Sequence, residues 1–338
     1  MKKNIIAMAV AAAVAAPAAA MADTTLYGKI HASYNAYTGD TTDDHGYGLT
    51  SNSSRIGIKG KEEISDNLAF VYQWEATMDW GANVDKSDSG FGGQRNTFIG
   101  FSGDWGTAIA GRHDTPFKKV SRKYDMFGDT IGDSRAVLGN DGGWDRRLPN
   151  MVAYMTPDMG GFHATAGYVS DHEENNNNEG DAFSIGAGYG VGGFSIDAAY
   201  EQANQVNGDD ADGVRVGAGY KMGGFKVTGL YQNVENFDGN DRDAFGLGAG
   251  YTFGKNTIKA QYYTADDIDN NADTSADLWA VGYDYKLSKQ TNIYAIYAGV
   301  DADANSDETV GGGGFGLNGD VYDGTDTGGF SVGVVHKF

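Results

Sequence analysis

The side chains of this 338-residue chain that could do chemistry are its charges, because the usual catalytic and metal-binding sets are missing. There is no cysteine, which removes thiolate ligands and disulfides. The six histidines are His31, His45, His113, His163, His172 and His336, and none stands in a Gly-x-Ser-x-Gly or His-Glu-x-x-His context. Asp238-Gly239-Asn240-Asp241-Arg242-Asp243 lacks the spaced ligands and final Glu of a calcium loop. We therefore expect no enzyme activity, no cofactor and no metal site. The remaining pattern is electrostatic. Arg112 and Arg147 bound a segment of about thirty-four residues that holds Pro116, the basic run Lys118-Lys119-x-x-Arg122-Lys123, and Asp125, Asp129 and Asp133 at spacing four. Arg55 and Arg95 precede it. A row of arginines held against an acidic segment creates a field that orients polar solutes without breaking bonds.

Such charges need a scaffold, and the chain alternates with period two. Leu26, Gly28, Ile30, Ala32 and Tyr34 share one parity, and Lys29, His31 and Ser33 the other. From Leu68 to Trp80, Leu68, Phe70, Tyr72, Trp74, Ala76, Met78 and Trp80 alternate with Gln73, Glu75, Thr77 and Asp79. Lys59 shares the polar parity with Lys29. Sixteen such segments begin near Leu26, Ser54, Leu68, Arg95, Gly106, Arg147, Phe162, Ala182, Phe194, Gly213, Phe225, Asp243, Thr257, Leu278, Thr291 and Gly328. A bulge is expected between Arg95 and Phe101, where parity is irregular.

A repeat supports this reading. Gly186-Ala187-Gly188-Tyr189 recurs as Gly217-Ala218-Gly219-Tyr220 and Gly248-Ala249-Gly250-Tyr251, each 31 residues on. Tight turns follow at Gly192-Gly193, Gly223-Gly224 and Gly254-Lys255-Asn256; acidic loops lie opposite, as at 171–181, 202–212 and 266–277. Short turns at one end and long loops at the other mark a transmembrane β-barrel, in which only every second side chain meets lipid. This explains how a chain with a mean hydropathy of −0.44 and no run of 18 apolar residues after Asp23 could cross a membrane. Tyr189, Tyr220, Tyr251, Phe194 and Phe225 are expected at one interfacial belt, and Tyr200, Tyr231 and Tyr263 at the other. Sixteen strands enclose an aqueous lumen.

Residues 1–22 read as a cleaved secretory signal peptide: Lys2 and Lys3, an apolar run from Ile5 to Ala16, then Ala20-Met21-Ala22. Residues 23–338 then form a single domain. The formal charge of −21 argues against nucleic acid as a partner and suits acidic outer loops.

The last strand, Phe330 to Phe338, ends on an aromatic. With Leu26-Tyr27-Gly28-Lys29, Ser54 to Gly60 followed by Glu62-Glu63, Arg95 to Gly100, Gly106-Thr107, Gly111-Arg112 and Arg147 to Tyr154, it completes a pattern that resembles the Gram-negative general porins of bacterial outer membranes. Asn150-Met151-Val152-Ala153-Tyr154 departs from that family's Asn-Ser-Val-x-Tyr. The resemblance implies a sixteen-stranded antiparallel barrel, a homotrimer, passage of small hydrophilic solutes and contact with lipid and lipopolysaccharide. It implies that the barrel-assembly machinery reads Phe338. It also implies that the long segment is a third loop folded into the lumen, where it narrows the pore. Its apolar residues Val120, Met126, Phe127, Ile131, Val137 and Leu138 independently need something to pack against. The constriction would comprise Arg55, Arg95, Arg112, Arg147 and Lys59 facing Asp125, Asp129 and Asp133, although the spacing leaves open which carboxylates face the lumen. Carboxylates in the outer loops imply a mild cation preference. The main alternative is a substrate-specific sugar or anion channel of the same architecture; a sugar channel would need Trp80, Trp105 and Trp144 to line the lumen.

Overall fold

The computed structural model describes residues 24–39, 45–80, 91–138, 144–170, 179–205, 210–237, 240–269, 271–311 and 326–338. The signal peptide expected at 1–22, Gly139 to Gly143, His172 and parts of the acidic loops lie outside the described residues. Eighteen strand segments follow in chain order: β1 (Thr24–Gly39), β2 (His45–Ser51), β3 (Arg55–Ser65), β4 (Leu68–Met78), β5 (Phe91–Gln94), β6 (Thr97–Gly103), β7 (Gly106–Asp114), β8 (Arg147–Met155), β9 (Phe162–Val169), β10 (Glu179–Val191), β11 (Phe194–Gln205), β12 (Ala211–Met222), β13 (Phe225–Phe237), β14 (Asn240–Phe253), β15 (Asn256–Ala265), β16 (Ala276–Lys286), β17 (Thr291–Ala302) and β18 (Thr327–Lys337). Two short helices, α1 (Pro116–Tyr124) and α2 (Arg135–Leu138), lie between β7 and β8.

The eighteen segments make sixteen staves, because two staves are interrupted. One edge of β1 pairs with β2 over Ala32–Thr38 and with β3 over Thr24–Lys29, so β2 and β3 are one line broken at 52–54. In the same way β4 pairs with both β5 and β6, and the break at Arg95–Asn96 falls where irregular parity was expected. Every pairing is antiparallel, and β1 pairs with β18 from Lys29↔Lys337 to Gly39↔Thr327, closing the barrel. Closure satisfies every edge, which a lipid environment requires. Among the described residues no helix is long and apolar enough to cross a membrane.

Alternation becomes orientation. Leu26 and Tyr34 are exposed on the outer face, whereas Lys29, His31, Ser33 and Asn35 are buried within the barrel. The turn expected at Gly192-Gly193 is a two-residue hairpin closed by Val191↔Phe194, and its glycines take φ of +57° and +90°. Tyr189, Phe194, Tyr220, Phe225 and Tyr251 stand exposed at that end as expected. Tyr263 does not join the opposite belt. It pairs with Gly246 on the inner face, is 1% exposed, and leaves the outer position to Tyr262. The strand's register placed it one residue away from lipid.

Loop 3, between β7 and β8, folds into the barrel. Thr115 caps α1 by accepting the Lys118 N–H, Pro116 opens the helix, and Arg122 and Lys123 sit in its last turn, opposite in sign to the helix C-terminus. Phe117, Val120 and Tyr124 form its buried face. With Phe127, Ile131, Val137, Leu138 and Trp144 they pack against Ala199, Leu230, Tyr263, Leu278, Ile296 and Val300 of the wall.

Candidate functional site

Loop 3 leaves a cavity of about 310 Å³ between its own charged side and the wall of β3 to β8. Six basic side chains line it: Arg55, Arg95 and Arg147 from the wall, and Lys118, Arg122 and Arg135 from the loop. Three carboxylates, Glu75, Asp114 and Asp129, and the polar Ser53 and Asn96 complete it.

The wall arginines are held by wall acids. Arg95 Nε lies 2.6 Å from Glu75 Oε1, and Arg55 Nε lies 3.8 Å from Glu75 Oε2, which also accepts the Tyr27 hydroxyl at 2.9 Å. Gly57 pairs with Glu75 across β3 and β4, so Glu75 stands between the two arginines by register. Arg147 Nη2 is 3.0 Å from Asp114 Oδ1, and its Nε donates to Asn96 Oδ1 at 2.9 Å. Asp114 and Arg147 are cross-strand neighbours on β7 and β8.

The loop acids are held by the loop. Arg122 forks across Asp129 and Asp133 at 2.7 and 2.8 Å, and Arg135 donates to both oxygens of Asp133 at 2.9 Å. Lys29 reaches from β1 to Asp129 at 2.6 Å. Burial would push Asp129 and Asp133 up, but these cations hold both below the usual carboxylate range. Asp125 is different. Its carboxylate accepts the Phe127 and Ser134 N–H groups, and burial, with Asp133 nearby, pushes it up to about 6.

Of the eight residues expected at the constriction, Arg55, Arg95, Arg147 and Asp129 line this cavity. Asp125 and Asp133 do not, because both turn inward to organise the loop's own backbone and arginines. Lys59 lies outside the lining, over the Tyr27 ring at 5.1 Å. Arg112 sits where β7 and β8 slip register between Gly111 and His113, outside the cavity and with no ion pair among the described residues. The loop acids are already engaged: Asp129 and Asp133 by cations, and Asp125 by two backbone amides. Sequence reading missed Glu75, Asp114 and Arg135. Glu75 was on the lumen parity, which was signal enough to find it. The role of Arg135 depends on how loop 3 folds and had no local signal.

Trp105 and Trp144 do not join a lumen ladder. Trp144 is 1% exposed, with its ring 5.4 Å from Phe117, and Trp105 stacks on Tyr154 beside a short turn.

The loop is clamped to the opposite wall. Arg215, fully buried on β12, donates to Asp145 at 2.5 Å and to the Phe117 carbonyl at 3.1 Å, and its guanidinium lies 4.1 Å from the Phe117 ring centre. Arg146 binds Glu201 at 2.9 Å. Gln261 accepts the Met126 N–H and donates to the Gly132 carbonyl, and Gln232 donates to the Leu138 carbonyl. Gly311, beyond β17, donates to the Ile131 carbonyl from the other side.

The model of the Gram-negative porin family matches residues 7–305. The major outer membrane protein P.IB of Neisseria gonorrhoeae is 32% identical over 203 residues, 57% of this chain and 55% of that protein. Outer membrane porin protein 32 of Delftia acidovorans is 32% identical over 183 residues, 52% of this chain and 51% of that one. The chain thus spans about half the length of these relatives. Among solved structures, an anion-selective porin from Comamonas acidovorans superposes with a TM-score of 0.79 at 26% identity, covering 93% of this chain and 99% of the other. OmpF of Salmonella typhi, in complex with daunomycin, superposes at 0.74 with 21% identity over 93% of this chain and 97% of that one, which speaks to the fold alone. A closed sixteen-stave barrel with an inward third loop, matched by that family model along most of its length, makes this chain a Gram-negative porin of the bacterial outer membrane.

Proposed function

We propose that the chain is a passive, water-filled diffusion channel for small hydrophilic solutes, that its narrowest part is the cavity between loop 3 and the β3 to β8 wall, and that it favours anions. The observation that carries the sign is the lining: six cations against three carboxylates, in a chain whose formal charge is −21. The mild cation preference inferred from sequence drew on carboxylates of the outer loops. Those charges are screened over about 8–10 Å at physiological salt. A permeating ion instead passes within a few ångströms of the arginines, which face it across a narrow, low-dielectric gap. The anion selectivity of the Comamonas porin named above accords with this sign.

On the same reading, residues 1–22 are removed on export, three copies associate, and the outer rim meets lipopolysaccharide. Phe338 serves as the assembly signal. Its N–H and C=O pair with Gly28 across the barrel seam, at 3.1 and 3.0 Å. The deciding measurement is a reversal potential for refolded protein in a planar bilayer under a potassium chloride gradient. The expected sign is that of chloride; a potassium sign overturns the preference, and a film that never conducts overturns the channel.

A further inference from the structure

The repeated Gly-Ala-Gly-Tyr tetrads have an unexplained regularity. In all three copies the alanine and tyrosine face outward and both glycines face the lumen, on β10, β12 and β14. All three strands run behind loop 3; at Gly186 on β10 the added β-carbon would meet Pro116 Cβ at 3.1 Å. A β-carbon added at Gly217 would stand 2.1 Å from Cδ2 of Tyr124, and one at Gly248 would stand 2.7 Å from Cγ of Met126. The seat continues beyond the repeat: at Gly282 the added atom meets Phe127 Cε1 at 2.8 Å, and at Gly329 it meets Ile131 Cδ1 at 3.2 Å. Ordinary contact begins near 3.4 Å. Successive parts of the loop therefore rest on bare backbone on every second strand, from β12 to β18.

The geometry points to a positioning role for these glycines: they set how far loop 3 stands from the wall behind it, and so how wide the charged gap is on its other side. This inference rests on reading that gap as the conducting path. Tyr124 cannot simply swing aside from a methyl group at position 217. Its hydroxyl donates to the Asp197 carboxylate and lies 3.2 Å from Ser195 Oγ, which can donate to it. Lys123 Nζ, 2.5 Å from the same carboxylate, ties the preceding residue of α1. The ring must retreat by roughly 1.3 Å to regain ordinary contact, and packed interiors transmit such shifts instead of absorbing them. The retreat carries α1 toward the lumen, where Lys118 and Arg122 already line the gap. Pore width is thereby determined by residues that no solute touches.

The test is single-channel conductance of refolded protein, with heat-modifiable gel migration as the check on folding. Gly217→Ala is expected to lower the unitary conductance by about one fifth or more, since conduction follows the narrowest cross-section. Gly217→Ala combined with Tyr124→Leu, which removes the obstructing ring, is expected to regain most of it. Gly229→Ala is the control: on β13 its added atom meets Leu247 Cδ2 at 3.6 Å on the outer face, so conductance should not change. If Gly217→Ala gives no folded barrel, Gly282→Ala against Phe127 makes the same test. A folded glycine variant with wild-type conductance, or a double variant no better than the single one, overturns the inference while leaving the channel intact. A wild-type protein that does not conduct overturns the channel reading itself.

Discussion

The two halves of the barrel wall treat loop 3 in opposite ways. Along β10 to β18 the inward positions are glycine, alanine, larger apolar residues such as Leu230, Leu278 and Ile296, and side chains that bond to the loop, and the contact is interlocked: Trp144, Phe117, Phe127 and Leu138 are essentially inaccessible to solvent. Along β3 to β8 the wall residues that line the gap are arginine, glutamate, aspartate, asparagine and serine, and a cavity of about 310 Å³ separates wall from loop. Small residues let a backbone approach closely and exclude water. Long guanidinium groups keep part of their donor capacity unfilled and hold the opposite face apart and hydrated. One loop can thus be fixed on one side and leave a passage on the other, provided the wall changes character around the barrel.

Removing Arg215 tests the fixed side most severely. Arg215→Met leaves the Asp145 carboxylate buried without its ion-pair partner, a loss of about 3–5 kcal/mol for a broken buried pair. The expected outcome is faster hydrogen exchange across residues 116–124 and several conductance levels in place of one; a single unchanged level would erase the distinction between the two halves. On the open side, Arg55→Glu changes the local charge by two units where Glu75 is already present. It should shift the reversal potential toward cations by an equivalent of about 1–2 kcal/mol, with little effect on thermal stability. Instability without a change of selectivity would mean that the arginine row is structural. Tyr124→Phe keeps the ring in its seat and removes only its hydroxyl bonds, so α1 should lose about 1 kcal/mol of protection in hydrogen exchange and the conductance should stay near wild type.

Acidity sharpens the comparison least. Asp129 and Asp133, held low, contribute stability that is present above about pH 4, the unfolded value, and lost as pH falls through their folded values. Asp125, held high, contributes stability that is present below that unfolded value and lost as pH rises through about 6. Exchange of residues 125–135, corrected for its intrinsic pH dependence, should therefore be slowest near pH 4, faster as pH rises from about 4 to about 6 and level above that, and faster again as pH falls below 4. A monotonic profile would show that these three carboxylates do not govern the loop.

Much of the fold was legible because membrane strands advertise themselves by parity. All sixteen starting points near Leu26 through Gly328 fall in observed staves, and the irregularity after Arg95 is the break between β5 and β6. Orientation was legible for the same reason, so parity placed Lys29 on the lumen side, where it is buried within the barrel, while Arg55 was placed there by the family resemblance. Tyr263 shows the limit: it was assigned to the outer belt with Tyr200 and Tyr231 by its place near a strand end, yet parity alone sends it to the core under loop 3. Asp125, Asp129 and Asp133 were legible as a set and not individually. Their spacing of four gave no sign that Arg122 and Arg135 would take up two of them, or that two backbone amides would take the third.

Taken alone, the sequence determined which side chains meet lipid and which face inward, how many staves there are, and where the chain departs from strand. Those properties follow from a local period of two and from local turn chemistry. Only the tertiary structure decided the sign of the charge left at the gap and the place where the loop rests. Both depend on pairs far apart in the chain, such as Lys29 with Asp129, Arg215 with Asp145, and Gly217 under Tyr124. A charge has no fixed effect until its partner is known, and a glycine has none until something occupies the space it leaves.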